Sequence, residues 1–224
     1  MKAILIATLF LGLTFNGFAQ YTDTLITQPK HNGIKTFLPG VIALSYGAIA
    51  LNDGALKNLD HHIAERRNEQ RPNFSTSADD YLRYAPFVAL YGMEALGLKS
   101  KHAIKEKTAL VLISAGFAVG SAKLLKTWSN KERPNQLDHR SFPSGHATIV
   151  FAGAELINQE YRDQSPWYGV AAYTVASATS VLRIYNNDHW FSDVVAGAGV
   201  GILSTKLAYL VYPGLQKLLV KDKQ

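Results

Sequence analysis

Residues 108–125 read TALVLISAGFAVGSAKLL, and this run sets the fold class. It is apolar almost throughout, too long for a strand, and rich in Ala, Gly and Ser, the composition of a helix packed closely on other helices or set in lipid. Five more runs of this kind surround it: Phe37 to Leu51, Tyr84 to Leu98, His146 to Asn158, Trp167 to Leu182 and Val194 to Tyr212. Strand signals are nearly absent and no internal repeat is visible. The sequence therefore predicts an all-α chain, an antiparallel bundle of about six core helices. Gly116, Gly120, Gly197, Gly199 and Gly201 are the positions expected to admit close helix contact.

Membrane embedding is the expectation, and a bundle wholly soluble in the periplasm is the alternative. The runs hold only 13 to 19 residues, several carry a charge (Glu94, Lys123, Glu155, Lys206), and mean hydropathy is −0.02. Charges inside spanning helices usually face the bundle interior. The polar interval from Asn52 to Arg83 reads as a soluble excursion, most simply a solvated charged face with room for an amphipathic helix.

A chain of 224 residues supplies one domain with a sizeable core. Its net charge of +6, from 23 Lys and Arg against 17 Asp and Glu, suits an anionic partner. The absence of cysteine excludes a disulfide framework and a thiolate metal site. At the amino terminus, Met1-Lys2 precedes an apolar run from Ala3 to Phe15 and the small-x-small ending Gly17-Phe18-Ala19. That layout predicts a signal peptide over 1–19, with a first membrane helix as the alternative, and a single domain over 20–224 outside the cytoplasm.

Three blocks carry the chemistry. In the first, Lys126 and Arg133-Pro134 frame six residues at a helix C-terminus, where cations are favoured by the helix dipole. The second, Pro143-Ser144-Gly145-His146, opens a helix: Ser144 is a natural N-cap, Gly145 leaves room for an oxyanion at the free amides, and His146 sits in the first turn. The third runs from Arg183 through His189 to Asp193. Four-residue spacing stacks His189 and Asp193 on one helix face if the helix has begun by Trp190, so that Asp193 holds Nδ1–H and leaves Nε2 free to attack. Each block has a bland reading as an ordinary helix cap. Together they occupy the ends of four helices that an antiparallel bundle brings to one face, around one pocket.

This arrangement resembles the type 2 phosphatidic acid phosphatase family, which shares its anion pocket with vanadium haloperoxidases. The family pattern of Lys, six residues, Arg-Pro, then Pro-Ser-Gly-His, then Ser-Arg, five residues, His, three residues, Asp, runs here from Lys126 to Asp193 within a core of about 109–210. Leu182 stands where the pattern has Ser, which removes a hydroxyl and leaves the charged positions complete. The resemblance implies that Lys126, Arg133 and Arg183 bind phosphate oxygens with help from Ser144 and the Gly145 amide. It implies further that His189 attacks phosphorus, that His146 protonates the leaving oxygen and later activates water, and that Asp193 orients His189.

No metal and no cofactor is implied, since three fixed cations take the electrostatic part. The implied substrate is a phosphorylated lipid, such as undecaprenyl diphosphate, phosphatidylglycerol phosphate, phosphatidate or a lipid A phosphate, or else a small phosphoester; nucleic acid is not an expected partner. A non-catalytic phosphate- or lipid-binding membrane protein would need the cations but not the two histidines. Positive charge in Lys99 to Lys107 and in the tail from Lys217 to Lys223, both opposite the pocket, predicts a pocket facing the periplasm. With a mature N-terminus outside, three spans before Lys126 would reverse that orientation, so Phe37 to Leu51, broken by Pro39-Gly40, is the segment expected not to cross.

Overall fold

The computed structural model describes residues 33–221, with side chains to residue 217. Residues 1–32 and 222–224, and with them the signal-peptide expectation, lie outside the described residues. A 3-10 turn over Gly33–Phe37 leads into α1 (Leu38–Ile49), then α2 (Ala55–Gln70), α3 (Ala78–Leu82), α4 (Ala85–Ala95), α5 (Ile104–Ser129), α6 (Gly145–Tyr161), α7 (Pro166–Tyr185) and α8 (Phe191–Lys221). Among the described residues there is no strand. The six apolar runs are α1 and α4 to α8.

Local chemistry sets the helix ends. Asn130 adopts the left-handed conformation (φ 44°) and stops α5, a role Asn fills with little strain. Ser144 caps α6, its hydroxyl accepting from Ala147 N–H at 3.5 Å. Ser165 does the same for Trp167 of α7 at 3.3 Å, with Pro166 in the first turn. At the start of α8, the third residue, Asp193, accepts the Trp190 amide at 3.0 Å, the acidic half of a capping box.

Helix α6 is the central one, packed against α4, α5, α7 and α8, with Val150, Ala154, Leu156, Ile157 and Tyr161 buried among Leu90, Leu110, Ala172 and Ala176. Two glycines let α8 lie directly on it: a Cβ on Gly197 would stand 2.6 Å from the Ser144 carbonyl, and one on Gly201 2.3 Å from that of Thr148. On the other side, Gly199 admits α1, whose Leu44 amide would meet a Cβ at 2.5 Å. These three glycines behave as expected. Gly116 and Gly120 do not, for nothing lies within 4 Å of a Cβ built on either.

They share helix α5 with exposed Leu112, Val119 and Leu124. Helices α5 and α8 are long and apolar enough to cross a membrane, and only 22% of the most apolar stretch of α5 is buried, against 56% for α8. A long apolar helix that leaves most of itself uncovered by protein is suited to lipid. The charges inside the apolar runs are mostly paired within the bundle. Glu155 accepts from Lys206 at 2.7 Å and from Gln159 at 2.6 Å, and Glu94 pairs with buried Lys107, while Lys123 is exposed.

The interval from Asn52 to Arg83 forms α2 and α3 and is mostly exposed, as expected; what departs from expectation is that it buries Asp60 and Asp79. Both carboxylates face the end of the bundle where the three blocks converge.

Candidate active site

A closed ring of contacts joins the four helix ends. At the end of α5, Lys126 Nζ donates to the Arg140 carbonyl at 2.6 Å, and its Cε would lie 4.0 Å from a Cβ on Gly145. Ser144 N–H donates to the Asp193 carbonyl at 2.9 Å, which ties the start of α6 to the start of α8. Arg133 donates from Nε to Asp138 at 2.8 Å and from Nη1 to the Asp188 carbonyl at 3.2 Å. Arg183, at the end of α7, donates from Nη2 to Asp188 Oδ2 at 2.9 Å and from Nη1 to Asp79. Six of the eight residues singled out in the three blocks, all but the two histidines, therefore meet at one end of the bundle.

His189 is 3% exposed and lies just outside α8, which begins at Phe191. The direct bond expected from Asp193 is replaced by a separation of 3.9 Å between Nδ1 and Oδ2. The physical reason is competition, since Oδ2 already accepts the Trp190 amide and the Ser141 hydroxyl, the latter at 2.5 Å. Ser141 Oγ itself lies 3.5 Å from Nδ1. Burial pushes the His189 imidazole down to about 4, with Asp193 opposing and Lys126 and Arg133 adding to the fall. The ring is thus neutral at ordinary pH, a buried nitrogen base among cations.

His146, in the first turn of α6, places Nε2 2.8 Å from Asp80 Oδ1 and 3.1 Å from Arg83 Nη1. Burial lowers its pKa, helped by the Arg183 and Arg83 charges and resisted by the bond to Asp80. The same bond holds the Asp80 carboxyl below the usual range. Asp79, Asp80 and His146 bring three ligand atoms within 4.8 Å of one another. They are engaged internally, Asp79 with Arg183 and Asn186, and Asp80 with His146.

Sequence reasoning missed Asp60, Asp79, Asp80, Arg83, Lys131 and Ser141. Lys131 sat inside the first block and Ser141 two residues before the second, and both read as spacers. For Asp79, Asp80 and Arg83 one signal existed: in an antiparallel bundle, α4 must start on the same face as α6.

The PAP2 superfamily model matches residues 43–217. This chain belongs to the PAP2 superfamily. Among its relatives, the Lipid A 1-phosphatase of Porphyromonas gingivalis is 40% identical over 156 residues, which cover 69% of this chain and 35% of that protein. This PAP2 chain therefore spans about a third of the length of that relative. Its fold is that of the first transmembrane PAP2 type phosphatidylglycerolphosphate phosphatase from Bacillus subtilis, with a TM-score of 0.55 at 20% identity over 79% of this chain and 94% of the other. Aquifex aeolicus LpxE overlaps 65% of this chain and 93% of its own at 21% identity, with a TM-score of 0.49. The all-α PAP2 bundle expected from the sequence is the observed one.

Proposed function

We propose that this chain is a metal-independent phosphatase that hydrolyses a lipid phosphate through a phosphohistidine formed on His189. The observation that carries the reading is the buried His189 imidazole, with Ser141 and Asp193 on its Nδ1 side and the charges of Lys126 and Arg133 facing it, at the same end of the bundle as His146. A phosphoryl transition state asks chiefly for positioning and charge stabilisation. Lys126, Arg133 and Arg183 bind the phosphate oxygens with the Ser144 hydroxyl and the Gly145 amide. Arg183 also keeps a buried Nε–H without a protein partner among the described residues, a spare donor for an oxyanion.

His189 attacks phosphorus as the bond to the leaving oxygen breaks, and His146 gives that oxygen its proton. The phosphoimidazolium so formed carries positive charge, balanced by Asp193 across Ser141. His146, now neutral, takes a proton from water as the water attacks phosphorus and the P–N bond breaks. Free phosphate and the resting imidazoles result.

A lipid rather than a soluble ester is favoured by an apolar cavity of about 200 Å³ between α4, α6 and α7, lined by Ala85, Pro86, Ala89, Met93, Ala172 and Val175. It starts at Ala85, two residues beyond Arg83, whose guanidinium lies 3.1 Å from His146 Nε2. Among lipid phosphates, a lipid A phosphate comes first because the 40% identical relative is named a Lipid A 1-phosphatase; undecaprenyl diphosphate, phosphatidylglycerol phosphate and phosphatidate follow. The site is assigned to the periplasmic side of the inner membrane, on a single domain over 20–224 behind a signal peptide over 1–19. Supporting this, Lys99, Lys101 and Lys105 lie between the end of α4 and the first turn of α5, at the end of the bundle opposite the site, and positive loops favour the cytoplasmic side. A soluble periplasmic acid phosphatase would have to expose the apolar side of α5 to water.

Phosphate release from purified protein, compared across these lipids and soluble esters, tests the activity; no release from any of them sinks the proposal. Trapping of radiolabelled phosphate on the wild type, lost in His189→Ala, tests the intermediate. Full turnover by His189→Ala would overturn the nucleophile.

A further inference from the structure

Behind Asp193, on the side away from His189, lies a charged cluster that the proposed chemistry does not use. An ammonium has three donors, and Lys131 meets three acceptors: Asp60 Oδ2 at 3.2 Å, Ser192 Oγ at 3.0 Å and Asp193 Oδ1 at 2.9 Å. Asp60, the buried residue of α2, also accepts the Ser192 amide on Oδ1 at 2.8 Å and the Ser192 hydroxyl on Oδ2. Asp60 is 2% exposed, Asp193 is fully buried, and Lys131 is largely so. A cap for α8 would need Asp60 alone. The cation between the two acids is the feature a cap leaves unexplained.

With Lys131 on Oδ1, the other oxygen of Asp193 is the one turned toward Ser141, Trp190 and His189. Two carboxylates and one ammonium also leave one net negative charge behind the imidazole. We propose that Asp60 and Lys131 are positioning residues, in which the Asp60-held ammonium of Lys131 clamps Asp193 Oδ1 and sets the charge felt by His189. The inference rests on His189 being the nucleophile of the proposed function.

The test is a titration of the seven histidines in the full chain, labelled with [15N]histidine in detergent, His189 being assigned by the loss of its signal in His189→Gln. Asp60→Asn takes the charge behind His189 from one negative to none and lowers the imidazole pKa. Lys131→Met takes it to two negatives and raises the pKa. The double variant restores one negative and returns the pKa toward wild type. Asp193, Lys126 and Arg133, the other charged groups facing the ring, are unchanged throughout.

Turnover should follow the same cycle. Asp60→Asn lowers kcat about tenfold, the equivalent of one pKa unit on the imidazole, with KM held, and adding Lys131→Met recovers most of it. If Lys131→Met does not fold, Lys131→Gln makes the same charge change. A merely structural cluster gives single-variant shifts of the same sign, or none, with the double variant the worst, and that result overturns the inference. Opposite shifts in a wild type that releases no phosphate leave the charge arrangement standing and remove the proposed function. Same-sign shifts in an enzyme that works through His189 remove this inference alone.

Discussion

Ser141 stands between His189 and Asp193: its hydroxyl donates to Asp193 Oδ2 at 2.5 Å and lies 3.5 Å from His189 Nδ1, while Nδ1 and Oδ2 are 3.9 Å apart. The carboxylate thus acts on the imidazole chiefly through charge, with the serine holding its direction. Asp193→Asn should therefore lower kcat on the order of 10⁴-fold, as loss of a buried orienting carboxylate does elsewhere. Ser141→Ala removes one hydrogen bond and lets the pair close, so its cost should be about tenfold or less. Steady-state kinetics on the two variants decides it; equal losses would make the serine an obligatory relay.

The acid limb of the pH profile should lie low. Burial, with Lys126 and Arg133, holds His189 down to about 4 against the pull of Asp193. As pH falls through that value the ring gains a proton and loses the lone pair that attacks. With substrate ionisation divided out, the acid limb of kcat/KM should lie near 4, because this ratio reports the free enzyme. Lys126→Met removes one depressing charge and should move the limb to higher pH while weakening phosphate binding. A wild-type limb near 6.5 would contradict the burial of His189.

At the alkaline end the relevant pair is His146 and Asp80. The Asp80 carboxylate, 2.8 Å from Nε2, favours the protonated ring against burial and the Arg183 and Arg83 charges. A proton donor must hold its proton until the leaving oxygen needs it. Asp80→Asn should lower the His146 pKa further and move the alkaline limb of the kcat profile to lower pH. Asp80 is half exposed, so the variant should fold normally, as circular dichroism can check. An unmoved limb would take Asp80 out of the chemistry.

The three blocks were legible because each pairs a chemical residue type with a helix end, and an antiparallel bundle forces those ends together. Asp60 and Asp79 were illegible for the converse reason. Their helices carry a largely polar surface, and a buried acid in such a segment looks like its solvated neighbours until its partner is known. For Asp60 that partner is Lys131, 71 residues away, and for Asp79 it is Arg183, 104 away. Glycine composition misled in the same manner: Gly201 and Gly116 are both helical glycines in apolar runs, and only the fold tells which one touches another backbone.

That distinction gives a stability prediction. A Cβ on Gly201 would stand 2.3 Å from the Thr148 carbonyl and 2.8 Å from the Ala152 amide, backbone atoms that cannot rotate away. Gly201→Ala must push α8 off α6, at about 1–3 kcal/mol for an overpacked contact. The displacement reaches the site, since Thr148 Oγ1 donates to the Ser144 carbonyl at 2.9 Å and Ser144 N–H to the Asp193 carbonyl at 2.9 Å. Lower kcat/KM should accompany the lost stability. Gly116→Ala meets nothing within 4 Å and gains about 1 kcal/mol of helix propensity. Unfolding in detergent should therefore show Gly201→Ala melting below wild type and Gly116→Ala at or above it; the reverse order would mean that α6 and α8 are not packed backbone to backbone.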